Sequence, residues 1–133
     1  MSKATTSSFL RWRGEGDMKG AGRHMTTGEI LLWARGRIAQ GWCQGVDARD
    51  ARGQRCSPWH SDARSWSMLG ALVVSEAADD DVLGHASRGE LGDAVALLAE
   101  AVGTSSLQAW NDDPVRTPEE VLAAFDRALA LLR

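Results

Sequence analysis

The sequence has few of the residues that build large sheets, disulfide scaffolds or membrane spans. Its 133 residues include no tyrosine, two phenylalanines and two cysteines, and no run of eighteen apolar residues. Sparse aromatic and β-branched residues disfavour a large sheet, and two cysteines are too few for a disulfide scaffold. The missing apolar run excludes a transmembrane helix. These features predict a cytoplasmic protein with reduced thiols.

The composition that remains is typical of one helical domain with a separate extension. Hydrophobic residues, mainly Ala, Leu and Val, make up 44% of the chain, enough for one globular core. Residues 1–25 carry five basic and two acidic side chains without periodicity, which predicts a flexible basic extension, or an arm that orders on a partner. They also lack the apolar middle of a secretory signal. Residues 26–133 form the predicted single helical domain.

The charge of that domain narrows the class of partner. Residues 26–133 hold ten basic and sixteen acidic side chains. An acidic body disfavours nucleic acid, whose binding depends on neutralising phosphates, but it suits a partner protein with a basic surface.

Three capping boxes predict helix starts. Each pairs a Ser or Thr with a Glu three positions later and precedes an apolar stripe at helical spacing. Gly41 and Gly103 follow the first and second of these stripes and predict helix ends. The boxes are Thr26 with Glu29, Ser87 with Glu90, and Thr117 with Glu120.

The segment between the first two helices is the least regular. Residues 50–53 have turn composition with glycine last, which predicts a short β-hairpin over residues 46–56, with a flexible loop as the alternative. Ser57 and Ser61 are the predicted starts of a helix that buries Trp66 and ends before the acidic residues 79–81. Residues 105–110 fit one short helical turn. The predicted fold is therefore mostly α: a small four-helix domain with a short β-hairpin between helices 1 and 2.

Two motifs resemble those of an uncharacterised family of small bacterial proteins, classed as a domain of unknown function. The first is Gly-Trp-Cys-Gln-Gly at residues 41–45, and the second is Trp-Asn-Asp-Asp-Pro-Val-Arg-Thr at residues 110–117. The resemblance covers roughly residues 26–133. The resemblance supports the fold and says nothing about an activity.

Catalytic and metal-binding patterns are weak, so we predict no catalytic residues, metal or cofactor. The cysteines and histidines include no Cys-x₂-Cys or His-x₃-His pair for zinc. Cys43 is not at a helix N-terminus, where its pKa would fall. Ser67 lacks the first glycine of a nucleophile elbow. The residues weighed as zinc ligands are Cys43, Cys56, His60 and His85.

The tryptophan-rich loops remain as a predicted binding site. One interpretation is structural: Trp42 and Trp110 close the ends of the helix bundle. The other is that these loops meet and form a recognition surface, joined by Trp59, because Trp and Arg dominate binding hot spots. The predicted binding residues are Trp42, Gln44, Trp59, Trp110, Asn111, Asp112 and Arg116.

We favour a non-catalytic protein-binding module, such as an accessory or inhibitor protein of phages or mobile elements. The alternative is a small-molecule-binding protein or enzyme with a pocket between the Trp42 and Trp110 loops. A further alternative is a homodimer joined through the last helix, where Leu122 and Leu131 lie partly off the main apolar stripe.

Overall fold

The computed structural model describes residues 25–76 and 87–132, which form five helices and one two-stranded antiparallel sheet. The predicted mostly helical fold is confirmed, but four helices is one too few. The short turn expected near residue 107 is itself a helix, capped by the Ser106 side chain. The elements are α1 (Thr27–Gln40), β1 (Ala48–Asp50), β2 (Ala63–Trp66), α2 (Met68–Glu76), α3 (Ser87–Val102), α4 (Leu107–Asn111) and α5 (Pro118–Leu131).

Some predictions concern parts of the chain outside the described residues. These are the basic extension up to residue 24, the acidic residues 79–81, His85, and the side chain of Ser87 in the second capping box. Met25, the first described residue, is buried in the core.

Two capping boxes start α1 and α5 as predicted. The Thr26 hydroxyl accepts a hydrogen bond from the Glu29 backbone N–H at 3.1 Å, and the Glu29 carboxylate accepts one from the Thr26 N–H at 2.9 Å. Thr117 and Glu120 repeat this arrangement at α5. These reciprocal bonds satisfy backbone donors that a helix start leaves unpaired. Gly41 caps the end of α1, and Gly103 follows α3 with a φ of 72°.

The hydrophobic core lies between α1 and the helices that surround it. α1 packs against α2, α3 and α5, and α3 also packs against α5. Leu31, Leu98 and Phe125 are fully buried at the centre. Each such side chain contributes roughly 1.5–3 kcal/mol by leaving water. None of the helices in the described ranges is long and apolar enough to cross a membrane.

The predicted short β-hairpin between the first two helices is confirmed, but its second strand is not where the sequence predicted it. The turn at residues 50–53 forms, and the Asp50 N–H donates to the Gln54 carbonyl at 2.8 Å. The main partner of β1, however, is β2, so the prediction that residues 63–66 belong to the second helix is wrong. α2 starts at Met68 instead of Ser57 or Ser61.

Pairing along both edges of β2 explains this correction. On one edge β2 pairs with β1, and on the other the Trp66 N–H donates to the Gly41 carbonyl at 3.0 Å. The Trp66 carbonyl accepts from the Cys43 N–H at 3.1 Å. These bonds join segments distant in sequence, and such tertiary contacts override local helix preference.

Two glycines allow the backbone segments to approach this closely. A Cβ at Gly41 would collide with the Arg64 carbonyl oxygen, and a Cβ at Gly70 would collide with the Asp47 carbonyl oxygen. That Asp47 oxygen also accepts a hydrogen bond from the Ser67 N–H at 3.0 Å. The end of α1 and the start of α2 are thereby fixed to the sheet.

Candidate functional site

Asn111, at the end of α4, is the centre of a buried hydrogen-bond network. Its side-chain oxygen accepts from the Trp42 indole N–H at 2.8 Å and from the Met68 backbone N–H at 3.0 Å. Its amide nitrogen donates to the Cys43 carbonyl at 3.2 Å and to the Asp112 carboxylate at 2.9 Å. The side chain is 1% exposed. All its hydrogen-bonding capacity is therefore used inside the protein.

A second set of bonds ties residues 41–45 to the segment after α4. The Gln44 side-chain amide donates to the Asn111 and Asp113 carbonyls at 2.9 and 2.7 Å. The Asp112 carboxylate accepts from the Gly45 backbone N–H and from the Gln108 side chain, both at 2.9 Å. Together with the bonds of Asn111, these form the asparagine network: Trp42, Gln44, Asn111 and Asp112 with their partners.

Trp110 and Arg116 pair with each other beside this network. The Arg116 guanidinium carbon lies 3.7 Å from the centroid of the Trp110 ring, and its Nε donates to the Trp110 carbonyl at 2.9 Å. Carboxylates of Asp113 and Glu120 lie 3.7 and 3.8 Å from its terminal nitrogens. The charge of Arg116 is thus neutralised locally.

The hydrogen bonds of Asp112 give stability that depends on pH. Burial alone raises the pKa of this carboxyl, but bonds from Gly45, Asn111 and Gln108 outweigh it and hold the pKa below its ordinary value. A lowered folded-state pKa adds stability that is fully present above the unfolded-state pKa of about 3.9. That stability is lost as the pH falls through the folded-state pKa.

We therefore expect Asp112→Asn to destabilise the protein by about 1 kcal/mol at pH 7. The difference in unfolding free energy from wild type should shrink as the pH falls from 5 toward 2, because wild type protonates Asp112 there. Urea denaturation across this range measures it. Asp93→Asn, at an exposed position of α3, is the control. A difference that stays constant with pH would show that the charge of Asp112 adds nothing.

The predicted site residue Trp59 lies on a separate turn formed by residues 57–60, here called the Trp59 turn. The Trp59 backbone N–H donates to the Ser57 hydroxyl at 3.1 Å, and the Trp66 indole N–H donates to the Pro58 carbonyl at 3.0 Å. The His60 N–H donates to the Ser57 carbonyl at 3.0 Å. The backbone is held in place while the Trp59 side chain remains 55% exposed.

Two open recesses flank the Trp59 turn, and both include Pro58. The Trp59 recess, of about 320 Å³, is lined by Trp59, Trp66, Arg37 and their neighbours. The recess on the other side, of about 560 Å³, has a lining that includes the charged residues Asp47 and Arg55. Of the seven predicted binding residues, only Trp59 lines either recess.

The two cysteines are poor nucleophiles in this setting. Both are free; Cys43 is buried, and its sulfur lies 3.8 Å from the Val46 carbonyl oxygen. Burial raises the pKa of both thiols, so both stay protonated at neutral pH. Within residues 25–76 and 87–132, no three His, Cys, Asp or Glu side chains are grouped so as to hold a metal ion.

Sequence reasoning missed the contribution of Arg37 to this surface. Its guanidinium carbon lies 5.1 Å from the centroid of the Trp66 ring. The feature of the sequence that indicates this contribution is an arginine within the apolar stripe of α1. The stem of such an arginine packs on the core and its charged end reaches the surface. That Trp66 would lie beneath it follows from β2, which the local pattern did not reveal.

The fold and the asparagine network define a small helical domain in which two sequence motifs bond to each other. The family described as "Family of unknown function (DUF6197)" matches residues 22–131, and the chain belongs to this family. Comparison with curated proteins and with solved structures gives no match.

Proposed function

We propose that this protein is a non-catalytic cytoplasmic module that binds another protein through the Trp59 turn. The observation that carries the proposal is a large exposed aromatic side chain on a hydrogen-bonded turn between two recesses. A rigid aromatic residue gives up little conformational entropy on binding, and tryptophan is enriched among residues that dominate interfaces.

The geometry gives less support to a small-molecule site between the Trp42 and Trp110 loops. Such a site needs polar groups that point into a concave space. Here the polar atoms of Trp42, Gln44 and Asn111 bond to one another and to the backbone. We therefore assign the asparagine network to folding and the Trp59 turn to binding.

The charge distribution also revises the predicted partner. Residues 35–66, which contain the Trp59 turn, hold six arginines and three aspartates, whereas residues 89–132 hold two arginines and eight acidic residues. A partner with a basic surface suits the acidic helices α3 and α5. A partner that contacts Trp59 meets a segment of net positive charge, the opposite of the charge on these helices.

The test is capture of a partner from the native cells by the full-length chain. We expect one stoichiometric protein with the wild type, and a loss of affinity of about 30-fold in Trp59→Ala, as for an interface hot spot. The melting temperature should hardly change, because the removed ring is largely in water.

Leu32→Ala is the matched control. Leu32 is also 55% exposed, but it lies on α1 and lines neither recess, so this variant should keep the partner. A partner that Trp59→Ala retains, or a wild-type chain that captures nothing, would contradict the proposed function.

A further inference from the structure

We propose that the Trp59 recess binds an acidic segment of the partner protein, with one carboxylate seated on Arg37 and an adjacent apolar side chain against Trp59. This inference rests on the proposed function, since it specifies the chemistry of the partner at the same turn. Three observations carry it: the Arg37 guanidinium, which has no ion-pair partner among residues 25–76 and 87–132, the other donors around it, and the absence of acidic residues from the described lining of the recess.

The side chain of Arg37 is positioned to bind an anion. Its guanidinium carbon lies over the Trp66 ring, 5.1 Å from the ring centroid. Unlike Arg35, which pairs with Asp126 at 2.7 Å, Arg37 makes no side-chain hydrogen bond or ion pair with any residue of the described ranges. Stacking on an aromatic ring leaves the N–H groups at the edge of the guanidinium free, and these match a carboxylate in bidentate geometry.

His60 and Ser61 add hydrogen-bond donors to the same recess. The His60 Nδ1 accepts a hydrogen bond from the Asp62 backbone N–H at 2.9 Å. Because Nδ1 accepts this bond, the ring proton lies on Nε2, which is a donor. A carboxylate entering the recess meets one cation and further donors.

The apolar part of the recess explains why we infer a peptide segment. Trp59, Pro58, Ala63 and Val74 line it together with the Trp66 ring. This combination fits an acidic residue next to a large apolar one. The recess on the far side of the turn fits a carboxylate less well, since it contains Asp47 as well as Arg55.

The test compares two capped octapeptides, one of alternating leucine and glutamate and one of alternating leucine and glutamine. The readout is the indole N–H signals of ¹⁵N-tryptophan-labelled full-length protein. We expect the glutamate peptide to shift the Trp59 signal and to bind at least tenfold more tightly than the glutamine peptide. Arg37→Gln should abolish this preference, and Arg37→Lys, which keeps the charge but not the bidentate geometry, should reduce it.

Arg52→Gln is the control, because Arg52 is exposed on the hairpin turn and lines neither recess; it should keep the preference. Three results would overturn the inference: equal affinity for the two peptides, a preference that survives in Arg37→Gln, or tighter binding of oligothymidylate than of either peptide. If Trp59→Ala loses the captured partner but the two peptides bind equally, the proposed function is retained. Only the inference that the partner presents an acidic segment would then be wrong.

Discussion

Replacing Asn111 by alanine should destabilise the protein by about 4 kcal/mol, a large part of the roughly 5–15 kcal/mol that stabilises a typical domain. The substitution removes four hydrogen bonds made by one buried side chain. It leaves the Trp42 indole N–H and the Met68 backbone N–H without their partner. Unpaired buried donors cost more than the net contribution of the bonds themselves.

Urea denaturation of Asn111→Ala, compared with that of Gln108→Ala, separates this effect from a general weakening of α4. Gln108 contributes one side-chain bond to the same region, from its amide to Asp112, and its loss should cost about 1 kcal/mol. Similar values for the two variants would contradict the central position of Asn111.

A second measurement uses the fact that Asn111 is the only asparagine in the chain. Labelling with ¹⁵N-asparagine gives a single side-chain amide. Both its donated bonds are internal, so its hydrogens should exchange with water much more slowly than those of a free amide. Exchange at the free rate would show that the network is open in solution.

Gly70→Ala has the second largest expected effect, a loss of about 3 kcal/mol or more in the free energy of unfolding. The added methyl group would collide with the Asp47 carbonyl oxygen, which belongs to the backbone and cannot rotate away. Relief requires α2 to move from the segment that leads into β1. Because Ala48 is fully buried in that strand, the movement would disturb the core.

Gly92→Ala is the matched control for this prediction. Gly92 also lies inside a helix, α3, but a Cβ there meets nothing within 4 Å. Alanine should therefore stabilise the protein by about 0.5–1 kcal/mol through its better helix propensity. Thermal or urea unfolding of both variants should give opposite signs. Two changes of the same sign would show that close packing at Gly70 does not limit the side chain.

The sequence predicts the starts of α1 and α5 correctly because their signals are local. A capping box and its stripe occupy adjacent turns, so Thr26 and Thr117 predict the starts of α1 and α5. β2 could not be found in this way. Residues 63–66 are a strand because residues 41–43 and β1 offer hydrogen-bond partners on both sides, and neither partner is adjacent in sequence.

The candidate site shows a similar division. The sequence indicates that Trp42, Gln44, Asn111 and Asp112 are unusual, but residue types cannot tell whether their polar atoms face a ligand or one another. The structure shows bonds among them. Trp59 was predicted as a binding residue because tryptophan is common in binding hot spots, whereas the recess beside it depends on the position of Trp66 in β2.

The central claim is that the asparagine network serves folding and the Trp59 turn serves binding. The most direct test follows the tryptophan indole signals while the captured partner is added to ¹⁵N-tryptophan-labelled protein. We predict that the Trp59 signal moves most. The signal of Trp42, whose N–H bonds to Asn111, should stay in place. A large shift at Trp42 or Trp110 with Trp59 unchanged would contradict it, and would place binding at the asparagine network instead.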